Sequence, residues 1–77
     1  MRFFFDYTTK DDSLLDYRGD DFCSPKGAIE FAQALAHYLK HSLTEDWSGW
    51  SVEARNAEGT KFWTAHVDTA DLSLAWT

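Results

Sequence analysis

Phe3, Phe5 and Tyr7 alternate with Arg2, Phe4, Asp6 and Thr8 at the start of the chain. A period of two sends successive side chains to opposite faces, so the spacing predicts a half-buried strand over 2–8. Thr9 to Ser13 is polar turn chemistry, in which short side chains bond their own backbone. Leu14 to Arg18 reads as a second strand returning beside the first, ended by Gly19-Asp20-Asp21. Ser24-Pro25 combines an N-cap with proline at the first helical position, where a missing N–H costs nothing. From there the period changes to that of a helix, predicted over 25–43. At 100° per residue one face carries Ala28, Phe31, Ala32, Leu35, Leu39, Ser42 and Leu43, flanked by Ile29, Ala36 and Tyr38. The opposite face carries Glu30, Gln33, His37, Lys40 and His41.

After an exit loop over 44–49, Trp50 to Arg55 alternates again as a third strand. Asn56-Ala57-Glu58-Gly59 forms a turn, and Lys61 to Val67 a fourth strand. In that strand Trp63, Ala65 and Val67 point to one side, and Phe62, Thr64 and His66 to the other. Leu72, Leu74 and Trp76 recur at period two in a tail over 68–77, an extra edge strand or apolar flap. Hairpin, helix, hairpin gives one α+β domain over 1–67, of ββαββ order, with a four-stranded, mainly antiparallel sheet and the helix across one face. Three consecutive phenylalanines suggest that the first strand is covered on both sides and central. The favoured order places the second strand beside the first, the fourth next and the third last, with the first and fourth parallel. In the alternative the two hairpins meet through the second and third strands.

Composition adds constraints. In 77 residues there are thirteen Asp and Glu against seven Lys and Arg, a net charge of −6, and no two basic residues are adjacent. Phosphate backbones and anionic lipid surfaces need clustered cations, so nucleic acid is disfavoured by charge and no membrane partner is expected. A single cysteine, Cys23, rules out an intramolecular disulfide framework and favours a cytoplasmic, reducing setting. Asp6 interrupts the opening aromatics far short of a signal core, and no stretch approaches a membrane span. With only Ile29, Val52 and Val67 as β-branched aliphatics, aromatics at 17% must fill the core. Phe3, Phe5, Tyr7, Tyr17, Phe31, Trp50 and Trp63 are the residues predicted to do so.

Three stretches carry a resemblance: Phe3-Phe4-Phe5-Asp6; Asp16-x-x-Gly19-Asp20-x-Phe22 followed by a helix with Ala28 and Ala32; and Trp50-x-Val52-x-Ala54-Arg55-Asn56-x-Glu58-Gly59. Together they resemble a family of small uncharacterised bacterial domains, known only as a domain of unknown function. The likeness spans roughly residues 3–67. It departs where that family has a longer acidic and arginine-rich helix face, here Phe31, Gln33 and His37. It implies the fold and a single domain, and no activity, cofactor or catalytic residue.

No constellation for chemistry emerges from the residues themselves. His37 and His41 share a helix face at a chelating spacing, but two ligands do not close a site, and histidines at a helix end complement its dipole. Cys23 precedes a helix N-terminus with Asp20 and Asp21 opposing a thiolate and no base beside it; it reads as a structural thiol packing on Ala28. Asp11, Asp12, Asp16, Asp20 and Asp21 lack the register of a calcium loop. Arg18-Gly19-Asp20 is a strand-end turn rather than an adhesion motif, and Trp47 caps the core beside Trp50. No enzyme, no cofactor and no metal site are expected.

The surface that stands out is the sheet face away from the helix. It is predicted to show Phe4, Leu14 and Phe62 among polar residues including His66, with Trp76 of the tail as a further contact or a cover. Exposed aromatics in a polar frame mark an interface. The expectation is a small non-enzymatic interaction module, binding a protein partner or a second copy through this face or an edge strand. The alternative is single-stranded nucleic-acid binding by stacking on Phe4 and Phe62.

Overall fold

The computed structural model describes residues 1–70; Leu72, Leu74 and Trp76 of the tail, expected as an extra edge strand or an apolar flap, lie outside the described residues. The elements are β1 (Arg2–Thr8), β2 (Ser13–Leu14), β3 (Asp20–Asp21), α1 (Pro25–Lys40), β4 (Ser51–Asn56), β5 (Lys61–His66) and a short 3-10 turn over Val67–Thr69. All pairings are antiparallel, and the sheet runs β2-β1-β4-β5 with β3 also on β1. The α+β architecture with one helix on one face is as the periodicity predicted.

Two features of the predicted sheet are corrected. The long β1 ladder, from Phe3 opposite Asn56 to Thr8 opposite Ser51, is made with β4, so the favoured order with first and last strands parallel does not occur. Nor do the hairpins meet through the other alternative. The reason is the crossover: β3 and β4 both run antiparallel to β1, so α1 links two like-directed strands with β1 between them, a connection that needs a helix's length. The second correction is that Leu14 to Arg18 is not one strand. Within residues 13–21 only Ser13–Leu14 and Asp20–Asp21 pair with β1, and residues 15–19 bulge out between them. Tyr17, placed in the core by alternation, is therefore 85% exposed.

α1 starts as predicted, Ser24 Oγ accepting from the Gly27 amide with Pro25 at the first helical position. It ends at Lys40, and Leu43, assigned to the buried face, is wholly exposed. Ala28, Ala32 and Ala36 are fully buried. Their small side chains let the helix lie close on the sheet, and it does so over β4 and β5. The β1 and β2 side of the same face is reached instead by long side chains, Phe31 and Leu35.

The core joins the alanine stripe to Phe3, Phe5, Leu39, Val52, Ala54, Ala65 and Val67. Its aromatic part is a chain of tilted and edge-to-face contacts: Phe62 to Phe3 at 5.6 Å, Phe3 to Phe22 at 6.2 Å, Phe22 to Phe5 at 5.7 Å, and Phe5 to Phe31 at 4.8 Å. Each such pair adds about 0.5–1.5 kcal/mol beyond area burial. Trp47 packs edge-on against Trp50 and Tyr7, closing one end as expected. Trp63 is corrected in part: it pairs with Ala54 but stays 38% exposed at the β5 edge.

Candidate functional site

The outer sheet face is occupied by the chain's own polar groups. Asp6, on β1, is 1% exposed. Its carboxylate receives Arg55 Nε at 2.8 Å, Arg55 Nη2 at 3.3 Å and the Asp16 amide at 2.9 Å. The same guanidinium donates to the Asp16 carbonyl at 2.7 Å and lies 4.6 Å from the centre of the Phe4 ring. Asp16 in turn fills the gap between β2 and β3, accepting from the amides of Phe5, Arg18 and Gly19. Burial pushes its carboxyl upward, but those three amides and the Arg55 charge outweigh it and hold the group below the usual carboxylate value. The hydrogen bonds from Arg55 to Asp6 raise the guanidinium's already high value. Farther along this face Lys61 meets Glu53 at 3.0 Å, and Ser51 Oγ meets His66 Nδ1 at 2.8 Å.

The predicted interaction residues therefore separate. Phe4 and His66 are on the outer face, but Phe4 is half-buried between Arg55 and the Gly19 backbone. Phe62 is not on that face. Ala54 pairs with Trp63 while Arg55 pairs with Lys61, so Phe62 is the extra residue of a β-bulge, and its ring turns to Phe3 on the helix side. Leu14 is opposite Tyr7 and shares its face, again the helix side. Trp76 lies outside the described residues.

Leu14 joins a different surface, the gap left because α1 sits over β4 and β5. Between α1 and the β2 edge runs a groove of about 380 Å³, with Phe5 and Tyr7 as its floor, Phe31 and Leu35 on the helix wall, and Leu14 and Leu15 on the other. Asp16 and Asp20 stand at its rim. Leu14 and Leu15 are 50% and 49% exposed. Phe31 also borders a second hollow of about 320 Å³, with Phe22, Gly27, Glu30 and Ala34. Burial, then the negative charge of Asp16 and the nearby Tyr38, push the Tyr7 hydroxyl's ionisation above its ordinary value, so the floor stays neutral. Tyr38, with its ring exposed, extends the apolar strip along the helix.

The sequence pattern places Phe31 and Leu35 in a closed core and gives the side chains of Leu15 and Phe22 neither a core nor an interface role. Two adjacent leucines after a polar turn were the available signal, since in a short edge strand both faces cannot be covered.

The other candidates are simple in structure. The His37 and His41 rings lie 4.6 Å apart, and His37 Nδ1 is buried with no hydrogen-bond partner among the described residues. No cluster of three or more metal-ligating side chains occurs among the described residues. Cys23 is exposed and free; Phe22, rather than Cys23, packs on the first helical turn at Gly27. The Ser51–His66 pair is an open cross-strand contact, with no carboxylate hydrogen-bonded to the imidazole among the described residues, whereas nucleophilic serine needs its histidine oriented by a third group.

A family model for a domain of unknown function, DUF6894, matches residues 2–68. The chain belongs to the DUF6894 family. The match runs from β1 into the closing 3-10 turn, so both walls of the DUF6894 groove and the Asp6–Arg55 pair are parts of the family domain. No curated protein and no solved structure matches the chain. Among the described residues, no helix is long and apolar enough to cross a membrane.

Proposed function

We propose that this DUF6894 domain is a non-enzymatic protein-interaction module that holds an apolar segment of a partner in the groove between α1 and β2. The observation that carries the reading is the half exposure of Leu14 and Leu15 above an aromatic floor. Contiguous apolar surface with a concave shape is what a side-chain anchor fills. The outer face, with Phe4 half-buried under Arg55 and its charges paired, supports the reading less well than the groove does. A reducing, cytoplasmic setting fits the single exposed thiol of Cys23.

Affinity capture from the native host tests it, comparing the wild type with Leu15→Asp and Thr64→Asp. Both positions are exposed, so both variants should fold. A partner lost by Leu15→Asp and kept by Thr64→Asp supports the groove; a partner lost only by Thr64→Asp overturns it.

A further inference from the structure

We infer that the segment received by this groove is basic and amphipathic, its apolar side chains seated in the two hollows and its Lys or Arg side chains meeting the acidic rim. The inference rests on the interaction reading and adds the partner's chemistry. Phe31 lines both hollows, so the two are neighbours along α1 and a single extended segment would reach both. Every charged group lining them is a carboxylate: Asp16 and Asp20 at the first, Glu30 at the second. Among the described residues no Lys, Arg or His lines either.

The three carboxylates are not equivalent. Asp16 is engaged with three backbone amides, and its charge is held in place by them. Asp20 and Glu30 have no salt-bridge partner among the described residues, although Arg2 and Lys61 do pair, with Asp21 and Glu53. Two carboxylates outside any ion pair among the described residues, flanking an apolar floor, set a complementary pattern for a partner: apolar at the centre, cationic at the sides. The same pattern disfavours the competing occupants. A second copy brings another −6 charge and the same acidic rim, so a symmetric pair would juxtapose like charges. An anionic membrane surface is repelled by the same field.

Short synthetic peptides sharing one set of leucine positions, with Lys, Gln or Glu between them, test this by titration into the isotopically labelled protein. Backbone and methyl shifts report the site. The Lys peptide is expected to shift Leu14, Leu15 and Leu35, and to bind about tenfold more tightly than the Gln peptide, as two or three exposed charge pairs would give. The Glu peptide should be weaker still. Asp20→Asn combined with Glu30→Gln should bring the Lys peptide to the level of the Gln peptide, and added salt should do the same. If the Gln or Glu peptide fills the groove as tightly as the Lys peptide, the basic partner is wrong while the groove reading stands. If none of the peptides shifts the three leucines, or the Lys peptide shifts only residues elsewhere, both fail.

Discussion

Asp6 and Arg55 meet at 2.8 Å on the outer face, the carboxylate almost fully buried and the guanidinium stretched over the Phe4 ring. The contact ties β1 to β4 and, through the Asp16 carbonyl, fastens the 15–19 loop to both. It converts the face predicted to bind a partner into one the chain covers with its own groups, and it holds Leu15 at the mouth of the groove.

Removing one member of that pair strands the other. Arg55→Ala should destabilise the domain by about 3–5 kcal/mol, because a buried carboxylate is left without its cation. Arg55→Lys should recover only part of this, since an ammonium cannot reproduce the two-pronged contact. Urea unfolding followed by tryptophan fluorescence gives both values.

Asp16 should make stability depend on acid. Its folded-state value lies below 3.8, so the stability it contributes is fully present above 3.8 and is lost as pH falls through the lower folded value. Asp16→Asn should flatten the loss of stability below about pH 4 while lowering stability at neutral pH. Denaturation midpoints measured across that range would show the two slopes.

Glycines 19 and 59 separate backbone strain from steric contact. Both have positive φ, +72° and +90°. A Cβ at Gly19 would stand 2.7 Å from the Phe3 carbonyl oxygen and 2.9 Å from the Phe4 ring; at Gly59 it would meet nothing within 4 Å. Gly59→Ala should cost about 1 kcal/mol for φ alone. Gly19→Ala should cost at least about 2 kcal/mol, because backbone must move as well. Equal thermal shifts in the two variants would mean that the loop is not packed on β1 as described.

The groove leucines should contribute to binding more than to folding. Leu15→Ser removes a side chain already half in water and should change stability by no more than about 1 kcal/mol. Phe5→Ala, in the floor but buried, should cost about 3–5 kcal/mol. Calorimetric melting of the two variants distinguishes a surface from a core residue on the same groove.

Local pattern was sufficient for the elements that depend on local pattern. Alternation placed Phe3 and Phe5 inside, Ser24-Pro25 marked the start of α1, and the small residues Ala28, Ala32 and Ala36 marked its contact face. What could not be read depends on partners distant in sequence. The Phe5 amide bonds a carboxylate, Asp16, instead of a strand, so residues 14–18 look like a hairpin arm but leave the sheet as a loop after Leu14. One extra residue in β5 turns Phe62 to the helix side beside Trp63, whereas strict alternation carried through the bulge sends Phe62 to the outer face. The groove exists because α1 settles over β4 and β5, a choice made by the alanine stripe and the crossover together. Hence the predicted interaction surface included Leu14 but on the wrong face, and missed Leu15.

The most direct measurement is photo-crosslinking in the native host, with a benzophenone amino acid at position 15 or 35 and, for comparison, at position 64. A partner that enters the groove should be captured from both 15 and 35 through the same stretch of its chain, one containing apolar residues interspersed with Lys or Arg, and not from 64. Capture from 64 alone, or capture at 15 and 35 of unrelated segments, would contradict the groove as the domain's binding site.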